Sequence, residues 1–378
     1  MLVNDLVTSI YNKRQVDLIL LDFSKAFDKV NHEKVLQKIH LYGIRGQTLK
    51  WIKSFLDNRT QSVVLNGHSS EPIPVSSGVP QGSVLGPLLF LAYINDLPDN
   101  LNSKVRLFAD DTAIYMSFSS PQQSMALQKD LKTLEIWEKD WDMEFNPLKC
   151  QVIHVTKRKH PIPTQYYLHG VLLELVTSAK YVGVDISSDL SWDTHINKST
   201  KKANQTLGFL RRNVKVKSEP LKSIAYQTLV RPQLEYSSEV WSPHSQTLIN
   251  QLESVQRRAA RWIKADYART SSVTAMLESL NLRRLDLRRI DSRLSLLYKI
   301  TNNLVAIPIE GFLIPLSRQS RHTHPLSYRL ITATTDYYKF SFFPRAVYHW
   351  NGLPAHIPTL PTIEQFNAAI SCIDHVSP

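Results

Sequence analysis

The sequence predicts an α+β unit followed by a helical, basic unit, and three observations carry that reading. Over roughly the first half, short stretches with strand alternation are interleaved with stretches at helical spacing. From about residue 193 the spacing becomes helical almost throughout. The charge divides at nearly the same place. Residues 1–156 hold 16 Lys and Arg against 17 Asp and Glu, whereas residues 157–378 hold 29 against 16. A near-neutral module joined to a strongly basic one points to nucleic acid as a partner of the second.

The elements justify themselves in order. Val16, Leu18 and Leu20 alternate with Asp17 and Ile19 and end at Leu21-Asp22, which reads as a mostly buried strand carrying an acid at its C-terminal end. Asn31 is placed to cap a helix carrying Val35, Leu36 and Ile39, and Gln47–Leu56 repeats the pattern with Leu49, Ile52 and Phe55. Gln61–Leu65 followed by Asn66-Gly67 is a hairpin signal. Gly78–Gly82 is a loop, and Ser83–Asn95 an apolar, buried helix. Two apolar stretches flank Asp110-Asp111 as strand, tight turn, strand. A helix follows from about Pro121 to Asp142, with Leu127, Leu131, Leu134 and Trp137 on one side. Cys150–Thr156 alternates as a strand, and Tyr166–Ile186 reads as two strands joined near His169-Gly170. Stretches 194–213, 219–231, 244–264 and 273–300 are helical and rich in Arg and Lys. Residues 301–378, proline-rich and polar in places, are expected to lie over the surface without building another core.

Composition excludes several classes. Two cysteines, Cys150 and Cys372, cannot form a disulfide framework or a cysteine-rich zinc module, so the expectation is a reducing, intracellular setting. The longest apolar run, Val84–Ile94, contains Gly86 and Pro87 and is too short to span a bilayer; no membrane association is expected.

The chemistry concentrates at Asp110-Asp111. Adjacent carboxylates repel, and a divalent cation with a preference for hard oxygen donors resolves the conflict. Asp22 ends a strand 88 residues earlier, and acids on neighbouring strands of one sheet can converge there. Three such carboxylates could hold a pair of metal ions for in-line phosphoryl transfer.

Around these acids the sequence resembles the reverse transcriptases of non-LTR, jockey-like retrotransposons. The resemblance rests on Asp22-Phe23-Ser24-Lys25-Ala26-Phe27-Asp28, on Gly78-Val79-Pro80-Gln81-Gly82-Ser83-Val84-Leu85-Gly86-Pro87 and on Phe108-Ala109-Asp110-Asp111, in that order. It extends through Leu41–Gly46, Trp51–Leu56, Arg231–Tyr236 and Gln256–Arg261 to Phe343-Pro344-Arg345 and Trp350–Pro354. It implies a palm, an antiparallel sheet with packed helices, over 1–190. A helical, thumb-like basic domain over 191–300 and a C-terminal region over 301–378 follow it.

The resemblance also implies roles. Asp22, Asp110 and Asp111 become catalytic metal ligands for two Mg²⁺ ions, with Mn²⁺ as an alternative. Phe23, Phe27, Gln81 and Gly82 fall at the nucleotide. Phe27 would be the ring under the sugar that selects dNTPs over ribonucleotides, though its spacing reads equally as core. Lys149, in Asn146-Pro147-Leu148-Lys149, matches a lysine that protonates the pyrophosphate leaving group, or reads as an ordinary surface lysine. Tyr181 and Gly183 match a hairpin that grips the primer end. Arg257, Arg258 and Arg261, together with Arg284 and Arg288, would follow the phosphates of an RNA template and DNA primer. The function implied is RNA-directed DNA polymerisation, in the nucleus where such elements insert. The alternative is a non-catalytic, nucleic-acid-binding remnant. The pattern departs from the family at its start: 21 residues precede Asp22, where the family carries long fingers and, further upstream, an endonuclease. The expectation is therefore a chain with truncated fingers, without a C-terminal zinc knuckle or RNase H.

Overall fold

The computed structural model describes residues 1–309, 311–317 and 324–373. It divides into two compact units. One comprises Asn12–Gly183 with Ser187–Asp189; the other comprises Met1–Tyr11, Val184–Ile186 and Leu190–Pro378.

The first unit is built on a five-stranded sheet. Its centre is Gln15–Leu21, flanked by Asp111–Phe118 on one side and Gln151–Val155 on the other; Lys104–Phe108 and the short Glu174–Leu175 form the edges. All pairings are antiparallel except that of Glu174–Leu175 with Gln151–Val155. The central strand is buried on both faces, which explains its near-continuous run of apolar residues. Helices His32–Leu41, Gly46–Leu56, Leu85–Ile94 and Pro121–Trp141 complete the unit. Asn31 caps the first of them, accepting hydrogen bonds from the backbone of Glu33 and Lys34. Ile19, Leu21, Val35, Ile39, Ile52, Phe90, Tyr93, Leu131, Leu134 and Phe145 share one core.

Lys38 and Asp17 are among the buried charges of this unit. Lys38 is 3% exposed, paired with Asp96, and its ammonium lies 3.5 Å from the ring centroid of Trp141, with Tyr93 and Trp137 around it. Asp17 is fully buried in the central strand and accepts from Gln15 Nε2 at 2.9 Å, Tyr166 Oη at 2.7 Å and Thr164 Oγ1, with His154 Nδ1 at 2.9 Å. These partners satisfy the carboxylate inside the sheet.

The second unit is helical. Its longer helices are Asp193–Asn213, Gln246–Lys264 and Leu285–Thr301. The stretch anticipated as one helix over 219–231 runs from Glu219 to Glu235, with a π-helical turn at Tyr226–Val230. The stretch anticipated over 273–300 is two helices, Val273–Ser279 and Leu285–Thr301, and Asn281, with φ 52°, marks the break. One apolar cluster gathers Ile196, Leu207, Tyr226, Leu234, Trp241, Leu252, Val255, Trp262 and Leu285.

The C-terminal region departs from expectation. Leu313, Phe343, Val347, Trp350, Leu353, Phe366 and Ile370 are buried against Ile290, Leu294, Leu297 and Tyr298 in a core of their own. Short helices Asp336–Lys339, Phe342–Asn351 and Ile363–Ile370 build it; Pro354, Pro358 and Pro361 lie between the last two, and Pro344 lies in the first turn of the second, where its missing N–H costs nothing.

Candidate active site

The strand register brings the acids together. Leu21 lies opposite Thr112, so Asp22 and Asp111 occupy the same end of neighbouring antiparallel strands. Phe108 pairs with Asp111, leaving Ala109-Asp110 as a two-residue turn. Ala109 takes φ 51°, in the left-handed region that a first turn position of this kind normally reserves for glycine. The electrostatics record the crowding. The Asp111 carboxyl is held above the usual carboxylate range, first by burial and then by the charges of Asp110 and Asp22; a hydrogen bond from the Val182 backbone opposes the shift.

Lys149 reaches the same place through backbone stapling. The Ser24 N–H donates to the Glu144 carbonyl at 2.8 Å, and the Asn146 N–H to the Asp22 carbonyl at 2.8 Å. The chain then turns, with the N–H groups of Lys149 and Cys150 both donating to the Asn146 carbonyl. The Lys149 ammonium ends 3.4 Å from Asp22 Oδ2, at ion-pair distance. That oxygen is buried and accepts no hydrogen bond. Phe23 lies in the core, 5% exposed, its ring stacked on Phe145 at 4.2 Å, so only its backbone faces the site.

The glycine loop docks on the segment after Asp22. The Val79 N–H donates to the Phe27 carbonyl and the Gly78 N–H to the Val30 carbonyl, both at 2.8 Å. A Cβ on Gly78 would stand 2.8 Å from Asp28 Cα, at φ +85°, so no other residue fits that approach. Gln81 is thereby held beside Asp28, donating from Nε2 to Oδ1 at 3.1 Å. Gly82 is exposed with open space around it, and Phe27 is half-buried, its ring 4.5 Å from that of Phe90. Tyr181 donates to the Arg106 carbonyl at 3.1 Å, and its hydroxyl is pushed up to about 12 by burial and then by the Asp111 charge. Gly183, at φ 80°, closes the same turn as Val182. The acids, Lys149, Phe27, Gln81, Tyr181 and Gly183 thus belong to one unit.

The arginines belong to the other unit and separate into two groups. Arg257 and Arg258 are exposed, Arg258 bonding back to the Ser254 carbonyl; Arg261 is half-buried and donates to the Ala268 carbonyl at 2.9 Å. The 283–293 cluster does not form the basic face expected of it. Arg288 grips Glu235, Arg283 pairs with Asp291 and donates to the carbonyls of Ser371 and Ile373, and Arg284 pairs with Asp286. Arg289 and Arg293 are each 1% exposed. The helical spacing that looked like a surface stripe is turned inward because Phe342–Asn351 packs over it.

Three residues that carry the site's geometry lie in the quoted motifs but had no role assigned from sequence. Asp28 positions Gln81, Gly78 admits the loop, and Asn146 fixes Lys149. Their signals, an acid five residues after Phe23 and a Gly-Val-Pro beside a Pro-Leu-Lys, are meaningful only once the two loops are known to meet. Carboxylates are the donors Mg²⁺ prefers, and an Asp22 oxygen that accepts no hydrogen bond, beside a mutually repelling Asp110-Asp111, fits that chemistry. Among the described residues, no group of three or more His, Cys, Asp or Glu side chains is already closed into a metal-holding cluster. No helix among them is long and apolar enough to cross a membrane.

An antiparallel sheet that sets a strand-end aspartate beside an Asp-Asp turn is the palm of a reverse transcriptase, and residues 8–186 match the family described as reverse transcriptase (RNA-dependent DNA polymerase). Over most of its length the chain is similar to the RNA-directed DNA polymerases of non-LTR, jockey-like retrotransposons. It is 30% identical to the probable RNA-directed DNA polymerase from transposon BS of Drosophila melanogaster over 271 residues, 67% of this chain and 29% of that protein. It is 29% identical to the RNA-directed DNA polymerase from mobile element jockey of the same fly over 287 residues, 72% of this chain and 31% of that protein. The chain thus spans under a third of the length of these relatives. Among solved structures, apo telomerase from Candida tropicalis aligns with 82% of this chain and 54% of its own at 12% identity and a TM-score of 0.41.

Proposed function

We propose that this chain extends a DNA primer on an RNA template by nucleotidyl transfer from dNTPs, with Asp22, Asp110 and Asp111 as the ligands of two divalent cations. The observation that carries the reading is the register that sets Asp22 beside Asp111 at one strand end, next to Lys149. Two Mg²⁺ ions, or Mn²⁺, would when bound activate the primer hydroxyl and stabilise the departing pyrophosphate. The chain's own groups do the rest. Lys149, 65% exposed at its side chain, holds a proton at Nζ for the leaving group. Gln81, held by Asp28, and Gly82, with no Cβ, line the approach of the nucleotide and its template base. Phe27, half-buried against Phe90, would be the ring that a 2′-hydroxyl strikes. Tyr181 and Gly183 support the primer end, and Arg257, Arg258 and Arg261 meet phosphates independently of sequence. Action on chromosomal DNA in the nucleus belongs to the same proposal.

A second reading, nucleic-acid binding without catalysis, rests on the exposed Arg257 and Arg258, which need no metal to meet phosphates. Primer extension on an RNA template with Mg²⁺ or Mn²⁺ separates the two. Extension by the intact chain, reduced to background by Asp110→Asn, is the expected result. No extension, with salt-dependent duplex binding retained, overturns the polymerase reading in favour of the second.

A further inference from the structure

Helix Leu285–Thr301 sets Arg289 and Arg293 one turn apart on the same face, and that face points inward. Both residues are 1% exposed. Nε, Nη1 and Nη2 of Arg289 and Nη1 and Nη2 of Arg293 are buried with no hydrogen-bond acceptor among the described residues. A third guanidinium joins them. Arg345, on Phe342–Asn351, donates from Nη1 to the Ser242 carbonyl at 2.9 Å, but its buried Nε has no acceptor. The three charges act on one another: burial first, then Arg345 and Arg289, disfavours the charge on Arg293, and burial with Arg289 lowers Arg345 to about 10.

The neighbouring carboxylates are spoken for. Glu235 receives both Arg288 nitrogens, Glu253 accepts from the Asp286 N–H, and Asp286 pairs with Arg284. Glu239 attracts Arg293 without meeting its terminal nitrogens. An uncompensated buried ion is among the costliest arrangements in a protein, and arginine does not escape it by losing its proton. Glu253, Asp286 and Glu235 favour the charge on Arg289, but none of them hydrogen-bonds its guanidinium, so these N–H groups stay without acceptors.

We infer that the Arg289–Arg293–Arg345 cluster is a binding site for one small phosphate-class oxyanion. Guanidinium forks pair with tetrahedral oxyanions through parallel N–H···O bonds, and five unclaimed nitrogens on two side chains call for an acceptor with several oxygens. The burial limits its size. Side chains 1% exposed exclude a polynucleotide strand, which points to a small anion such as orthophosphate or pyrophosphate. The site is therefore distinct from the exposed arginines of Gln246–Lys264, and its role is to hold the helical unit together.

Thermal unfolding of the full chain in phosphate-free buffer, titrated with sodium orthophosphate, sodium pyrophosphate or sodium chloride at matched ionic strength, tests this. Tm is expected to climb with the logarithm of orthophosphate or pyrophosphate concentration and to stay flat in chloride, and the better of the two anions identifies the ligand. Equilibrium dialysis should find one tightly held anion per chain, lost in Arg293→Met along with the Tm response. Equal Tm in all three salts overturns the inference, as does an undiminished phosphate response in Arg293→Met. Should that variant not fold, Arg345→Gln serves in its place, with weaker binding expected and unchanged binding counting against the site.

Discussion

Asp111 carries a carboxyl whose proton is held more tightly in the folded chain than in the unfolded one. Between the ordinary carboxylate pKa near 4 and the raised folded value, the folded state binds the extra proton, so stability falls as pH rises through that window. Asp111→Asn removes the charged form and should raise Tm at neutral pH; the advantage should vanish below about pH 4, where Asp111 is protonated in both states. A variant advantage that persists in acid would show that repulsion among the carboxylates is not its origin. The glycines of the neighbouring loop make a second contrast. Gly78→Ala meets the Asp28 backbone as well as an unfavourable φ and should cost about 2–4 kcal/mol in chemical denaturation, whereas Gly82→Ala faces open space and should cost about 1–2 kcal/mol. Equal losses at the two positions would mean that the loop is not packed on the Phe27-Asp28 turn. The acids themselves were legible because aspartate in a turn between two apolar strands is a local pattern. Asp28 was not, because its partner Gln81 is 53 residues away.

At the level of elements, the buried Asp17 ties the central strand to the segment 162–166. Asp17→Ala would leave Gln15, His154, Thr164 and Tyr166 without their acceptor and should destabilise the first unit by about 3–5 kcal/mol, measured by urea denaturation; a loss below 1 kcal/mol would show that the four donors find other partners. Elements with a clear local signal were read well. The Asn31 cap, the apolar helix Leu85–Ile94 and the helix Pro121–Trp141 follow from side-chain spacing and capping chemistry alone. The basic helices were harder. Hydrophobic spacing locates a helix, but arginine every few residues does not reveal which face is covered. In Leu285–Thr301 the arginines at 289 and 293 turned out to be interior, and only the packing of Phe342–Asn351 decides that.

For the molecule as a whole, the C-terminal region is a structural part of the helical unit. Trp350 is 1% exposed, within a core shared with Tyr298 and Phe366. Trp350→Ala should cost about 3–5 kcal/mol, read as a shift of the denaturation midpoint with near-UV signal lost from that region; a silent substitution would mean that the region is a loose cover, as proline content alone had implied. Sequence reading failed here because short helices separated by prolines carry few periods each, and their apolar residues pair across long separations. The same unit includes Leu2–Tyr11, whose Tyr11 ring stacks on Tyr338 at 4.2 Å. During synthesis that helix leaves the ribosome 327 residues ahead of its partner. At translation speeds of roughly 5–20 residues per second it waits about 15–65 seconds with Leu6 and Ile10 uncovered. The interval is long enough for chaperone capture or misdocking, so the helical unit closes only after Tyr338 has emerged.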